Sequence, residues 1–306
     1  MARAYLCGSP LNSYIMKTVL FAFVLLSAAV CDLSAQSPIL LGQCTRDSLQ
    51  QAPHREWFQK NYDEYAPDVS AIESLKNMIR KGFEVEIFFG TWCGDTRREL
   101  PRFIKILDLA GWDQSRVRYI AVDSALPAYK QSPGGETLNK GIYRVPTFII
   151  MKNGKEIGRI VEHPVKSLEA DLLALTTGQA YRPNYFAYSE IERLLTPGTL
   201  VHPNTSLRGI AKSLKPIVIS WSELNACGYV LQAQKKLPEA LAVFRINHIL
   251  FNENVDTHIA LANSLYKNEL YQEAVTTLQD AISLNKDDGK LDKMLELYYA
   301  ARKAQE

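Results

Sequence analysis

The chain has 306 residues, 47% of them hydrophobic and 22% charged, the proportions of a folded protein rather than a disordered, collagen-like or low-complexity one. Its 35 basic and 33 acidic side chains nearly balance at a net +2, with no long block of one sign, which excludes the basic footprint of a nucleic-acid binder. Five cysteines are too few for a disulfide-stapled miniprotein, and a mean hydropathy of −0.14 excludes a multispan membrane protein.

Val19 to Val30 is an apolar run with Ser27 as its only polar residue. Lys17 precedes it and Leu33-Ser34-Ala35 follows it, so residues 1–35 read as a secretory signal cleaved after Ala35, with Met16 as an alternative start. The run is shorter than the ~20 residues of a spanning helix. A lipoprotein attached through Cys31 and a single N-terminal anchor helix are the other two readings. All three export the remainder to the periplasm or cell envelope and confine membrane contact to this segment, if uncleaved or lipidated. Cleavage leaves Cys44, Cys93 and Cys227, an odd set that points to a free or intermolecularly used thiol.

Residues 36–54 read as a polar, irregular lead-in. From Glu56 to Arg80 apolar residues recur at helical intervals, and Pro67 divides them into two helices. Phe83–Phe89 alternates and then turns wholly apolar, as a strand entering a core does. Gly90-Thr91-Trp92 ends it. Cys93–Leu109 has helical periodicity through Leu100, Phe103, Ile104 and Leu107, with Pro101 placed to kink it. Val117–Val122 is a second strand, and the Pro-Gly-Gly within residues 131–136 marks a loop. Val145–Met151 is a strand that begins at Pro146, Asn153-Gly154 a hairpin turn and Ile157–Val161 the returning strand. Ser167 caps a helix running to Leu175, with Glu169 near its start. Residues 55–178 therefore predict an α/β domain, a mixed sheet flanked by helices and closed by an antiparallel pair.

Residues 179–220, punctuated by Arg182-Pro183, Thr196-Pro197-Gly198 and His202-Pro203, read as a linker or a domain-wrapping segment with a short helix over Tyr188–Leu195. From Trp221 the pattern is all-helical and repeats. An offset of 34 aligns Gly228 with Ala262, Leu231 with Leu265, Glu239 with Glu273, Ala240 with Ala274, Leu241 with Val275 and Leu250 with Leu284. That helix–turn–helix period is similar to that of tetratricopeptide repeats. Residues 221–306 thus predict two repeats, over about 223–284, and an amphipathic capping helix from Leu291 to Lys303. So short an array is expected to lean on the preceding segment or on the first domain. Tyr229, Phe244, Tyr266 and Tyr271 sit at repeat-core spacing, and core packing is the reading for them.

The chemistry concentrates in Thr91-Trp92-Cys93-Gly94-Asp95-Thr96, between a strand and a helix. A cysteine at a helix N-terminus faces the positive end of the dipole and unpaired N–H groups, which stabilise a thiolate. Arg97 and Arg98 add positive potential, Asp95 opposes it, and Thr96 stands within reach of the sulfur. Cys93 is therefore a candidate nucleophile. Cys44 reads as a lead-in thiol and Cys227 as a small helix-packing residue. There is no Cys-x-x-Cys pair and no His-x-x-x-His, so neither a metal nor a cofactor is expected.

At these residues the chain resembles the thioredoxin family. The strand–Trp92-Cys93-Gly94–helix junction matches the family's active-site turn, Pro101 its helix proline, Val145-Pro146-Thr147 its cis-proline loop, and Asn153-Gly154 the hairpin that follows. The resemblance covers about residues 55–178. It implies that Cys93 is the attacking cysteine, that Pro146 is cis and packs beside the sulfur, that Val145 presents backbone to an extended substrate, and that Trp92 flanks the site. It also implies that His163, at the end of the returning strand, lies near the turn, where it would assist the thiolate or shuttle protons. Two positions depart from the family pattern. Thr96 stands where the resolving cysteine would be, and Ile87 where the buried acid would be. The expected function is monothiol thiol–disulfide exchange on envelope proteins through Cys93, with Thr96 and Pro146 in the site. Gly94, Asp95, Trp92, Val145 and His163 would support it, and a protein partner would bind the helical repeats. The alternative is a non-catalytic adaptor or chaperone-like binding protein.

Overall fold

A computed structural model describes residues 39–306 except positions 80, 197 and 287, so the expected signal segment, residues 1–35, lies outside the described residues. No helix among the described residues is long and apolar enough to cross a membrane. Strands β1 (Gly42–Cys44), β2 (Phe83–Phe89), β3 (Val117–Ala121), β4 (Thr147–Lys152) and β5 (Lys155–Val161) form one sheet in the order β1-β3-β2-β4-β5. β2 and β3 run parallel and the other three pairings are antiparallel. The lead-in is not irregular throughout, because Gly42–Cys44 pairs with Tyr119–Ala121 as an edge strand. Three residues without alternation carry no strand signal of their own; the open edge of β3 supplies it. The β4–β5 hairpin turns at Asn153 and Gly154, both at positive φ (52° and 72°), as a two-residue type I′ turn requires.

Alternation along β2 sorts its side chains between two cores. Val85, Ile87 and Phe89 share the larger one with Phe148 and Ile150, whereas Phe88 faces a smaller one with Ile120 and Ile149. After a short helix α1 (Arg46–Leu49), the larger core is covered by α2 (Arg55–Glu64), α3 (Val69–Ile79), α4 (Gly94–Ala110) and α5 (Leu168–Thr177). Their Phe58, Leu75, Phe103 and Leu172 are buried, each contributing about 1.5–3 kcal/mol. Phe103 stacks on Phe148 with ring centroids 4.1 Å apart. α4 continues through Pro101 and stops at Gly111, where a left-handed residue (φ 76°) lets the Trp112 N–H reach Leu107 O at 2.8 Å.

The smaller core has no helix between β3 and β4 to cover it. That connection, residues 122–146, holds one 3-10 turn (Leu126–Ala128) and lends Ile142 and Val145 to the core. Beyond it lies the helical layer: α6 (Ala187–Leu195), α7 (Leu207–Leu214), α8 (Trp221–Ala233), α9 (Leu237–Leu250), α10 (Val255–Lys267), α11 (Tyr271–Leu284) and α12 (Asp288–Lys303). Residues 179–220 belong to this layer, since Tyr188, Ile191, Leu200 and Leu214 share a core with Leu224, Val230 and Phe244. Tyr143 of the β3–β4 connection enters the same core, and residues 39–306 pack as one unit.

The internal repetition is geometric as well as sequential. α8 and α10 begin at 221 and 255 and each has 13 residues; α9 and α11 begin at 237 and 271 and each has 14, an offset of 34 both times. The turns repeat too, with Lys235 and Glu269 at φ 63° and 62°. α12 closes the stack by burying Met294 against Ile259, Ala262, Leu278 and Ala281.

Gly228 of α8 lies against Phe244 of α9, and a Cβ there would lie 2.5 Å from Phe244 Cζ. Gly228→Val is expected to overpack the pair and lower the unfolding free energy by about 1–3 kcal/mol in urea denaturation. Glu223 is buried in the first turn of α8, with one carboxylate oxygen accepting the Ile219 N–H at 2.8 Å and Oε1 without a described partner. Burial raises its pKa from 4.5 to about 7. Such a group stabilises the fold below its unfolded value, and the contribution is lost as pH rises through about 7. The fall in thermal midpoint between about pH 5 and pH 8 is therefore expected to be smaller in Glu223→Gln, which keeps the acceptor oxygen.

Candidate active site

The turn that carries Cys93 is closed at Gly90. The Gly90 carbonyl accepts the Cys93 N–H at 2.9 Å, and the Gly90 N–H is donated to the Thr96 hydroxyl at 3.3 Å. Trp92 folds over the same residue so tightly that a Cβ on Gly90 would stand 2.5 Å from the indole. The indole N–H is tied to Val122 O at 3.0 Å, across the end of β3. Thr96 is fully buried. Its hydroxyl, expected to serve the sulfur, serves the turn instead. The lead-in also reaches this turn, because the Leu40 N–H is donated to the Thr91 hydroxyl at 3.3 Å.

Cys93 is the N-cap residue of α4, in an extended conformation with no side-chain capping bond, so its sulfur is not engaged by the helix. It is half-buried, and its Sγ–H is donated to Val145 O at 3.2 Å. The Val145–Pro146 peptide is cis. Pro146 O accepts the Glu162 N–H at 2.7 Å, which docks the end of β5 against the same loop. The structure thus gathers Trp92, Cys93, Gly94, Val145 and Pro146. Gly94 is exposed, with open space where a Cβ would stand.

The charges expected around the sulfur are arranged differently. Asp95 pairs with Arg98 at 2.7 Å, Arg98 also binds Glu99 at 2.6 Å, and Arg97 Nε–H turns back to Thr91 O at 2.8 Å. Both arginines are therefore engaged within the first turn of α4. His163 is exposed. Its Nδ1 lies 3.8 Å from a Glu162 oxygen and its ring meets Tyr185 edge-on, and no described contact joins it to Cys93. Ile87 is fully buried in the larger core, where it pairs across β2 with Tyr119 and Phe148.

Three ionisable residues that sequence reasoning missed complete the site. Arg144, next to Val145, donates to Glu162 at 3.0 Å, to the Ser222 hydroxyl at 3.1 Å and to the Tyr188 hydroxyl at 3.2 Å, and lies 4.7 Å over the Tyr185 ring. Glu162 takes the Tyr185 hydroxyl on its other oxygen. Adjacency to Val145-Pro146 and to His163 was the available signal for these two. Lys130 had none, since Ala-Tyr-Lys-Gln in a loop reads as surface. Yet Lys130 is only 4% exposed. Its Nζ donates to Tyr143 O at 2.6 Å and lies 4.6 Å over the Tyr129 ring, which in turn meets the Trp92 ring at 6.4 Å. Burial lowers its pKa to about 7, with Arg144 pushing the same way and Glu162 and Cys93 pushing it up.

The other two described thiols stand elsewhere. Cys44 in β1 packs against the larger core, and burial pushes its thiol up to about 11. Cys227 is sealed in the helical core, and burial pushes its thiol well above the usual range. Two cavities of about 580 Å³ lie among β5, α3 and α5 residues and include no residue of the Cys93 turn. Among the described residues, no three His, Cys, Asp or Glu side chains gather as a metal site. Compared with known proteins, the chain matches no family model, no curated protein and no solved structure.

Iodoacetamide at neutral pH is expected to label Cys93 of the native chain at least about tenfold faster than Cys44 or Cys227, as read by peptide mass spectrometry. In denaturant the three should react alike.

Proposed function

We propose that this is an exported thioredoxin-like protein with C-terminal tetratricopeptide-type repeats, which exchanges thiols and disulfides of envelope proteins through Cys93. The observation that carries the reading is the Cys93 sulfur at the N-terminus of α4, half-buried, 3.2 Å from the Val145 carbonyl at the cis Val145–Pro146 bond. The helix dipole favours a thiolate at that point. The Val145–Pro146 backbone beside it suits an extended substrate chain. The 34-residue offset in both helix starts and turn conformation supports the repeat assignment. The N-terminal apolar run supports export.

The chemistry is a pair of sulfur displacements. The Cys93 thiolate attacks one sulfur of a substrate disulfide; that bond breaks, and the departing thiolate takes a proton from solvent. The product is a mixed disulfide on Cys93. Thr96 cannot resolve it; Cys44 packs against the larger core and Cys227 lies within the helical core. A second thiolate from outside the chain attacks the substrate sulfur and returns Cys93 as thiolate. The helical layer provides the docking surface for the protein partner. A second reading, a non-catalytic adaptor, is favoured by buried Thr96 and Ile87, which supply neither a resolving thiol nor a proton acceptor.

Incubation with glutathione disulfide separates the two. Exchange predicts one adduct at Cys93, reversed by added glutathione and absent in Cys93→Ser. An adaptor predicts no adduct above that of a surface thiol.

A further inference from the structure

We propose that Lys130 is a positioning residue for Cys93: its buried ammonium, held behind the Trp92–Cys93 turn, stabilises the thiolate, and the charge on each favours the charge on the other. The inference rests on the reading of Cys93 as a nucleophile. A buried ammonium is costly unless something compensates it. For Lys130 the structure provides one carbonyl, Tyr143 O at 2.6 Å, and one aromatic face, Tyr129 at 4.6 Å; no carboxylate is in salt-bridge contact with its Nζ among the described residues. Such an incomplete set leaves a positive charge in want of a negative one.

Two chains of contacts link the two groups. Along one, Lys130 Nζ holds Tyr143 O, and two residues on Val145 O receives the Cys93 thiol at 3.2 Å. Along the other, Lys130 covers Tyr129, the Tyr129 ring meets Trp92, and Trp92 precedes Cys93. The position of Lys130 is set by its own backbone, which pairs with Asp123 (Lys130 N–H to Asp123 O, 2.9 Å; Asp123 N–H to Gln131 O, 3.0 Å) just after Val122, the residue that holds the indole.

The charged groups facing Lys130 come from each neighbouring segment. Cys93 on α4 and Glu162 at the end of β5 favour its charge, and Arg144 beside the proline loop disfavours it. Tyr129 on its own loop stays protonated because burial raises its pKa. Glu162 is already bound to Arg144 and Tyr185. Cys93 is thus the facing acid without a bonded cation. A negative charge at Cys93 favours the positive charge on Lys130. The desolvation that pulls Lys130 to about 7 places this coupling in the neutral range.

The test is the pH profile of Cys93 alkylation by iodoacetamide, which requires no disulfide exchange and so stands or falls separately from the proposed activity. In Lys130→Met the midpoint is expected to rise by about one pH unit, a tenfold loss of rate near pH 7 that is recovered at high pH. Lys130→Arg, which keeps a fixed positive charge, is expected to restore most of the neutral-pH rate. A Lys130→Met profile superimposed on the wild type, a loss of equal factor at every pH, or a Lys130→Arg chain no faster than Lys130→Met would overturn the inference. A reciprocal measurement needs no lysine variant. The Lys130 side-chain titration, followed by carbon NMR, moves to lower pH in Cys93→Ser if the groups are coupled and stays put if they are not.

Discussion

The half-buried guanidinium of Arg144 is the contact on which the arrangement depends. It reaches Glu162 at the end of β5, Tyr188 on α6 and Ser222 on α8, while its own backbone leads directly into Val145-Pro146. A charge largely withdrawn from water needs its donors satisfied, and each hydrogen bond to a charged group contributes about 1.5–3 kcal/mol. Against a total stability of about 5–15 kcal/mol, that is a large share. The loop that faces Cys93 is therefore positioned from two sides, by the sheet through Glu162 and by the helical layer through Tyr188 and Ser222. Tyr143 adds to the junction by entering the helical core and bonding Glu192. The helices are structural support for the site.

This junction also sets the chemical character of the site. The arginines nearest in sequence are engaged by Asp95, Glu99 and a carbonyl, so the positive groups that matter near the sulfur come from the β3–β4 connection. There the helical layer takes the place of a crossover helix and buries Tyr129 and Tyr143 around Lys130. Two of the described thiols, Cys93 and Cys44, are half-buried against different cores, and Cys227 is sealed in the helical core.

Much of the fold was legible because it rests on local periodicity. β2, β3 and the Asn153-Gly154 hairpin follow from alternation and turn chemistry, and α4, α5 and the four repeat helices from the spacing of their apolar residues. Gly228 and Ala262 were readable as close-approach positions because the repeat showed them twice. β1 was not readable: three residues pair only because β3 leaves an open edge. Nor was the fate of residues 179–220, whose prolines and glycines suit a linker but whose Tyr188, Ile191 and Leu214 are buried by helices that follow later in the chain.

For the site the division has the same cause. The sequence by itself determined the strand–Trp92-Cys93-Gly94–helix junction and the Val145-Pro146 loop, because a helix N-terminus and a proline-led strand are properties of short stretches. Only the tertiary structure decided that Thr96 turns inward to Gly90, that His163 leans on Glu162 rather than on the sulfur, and that a loop lysine lies buried behind the Trp92–Cys93 turn. Charge and burial are set by what packs over a residue, and for Lys130 those atoms belong to segments far along the chain, beyond the reach of any local pattern.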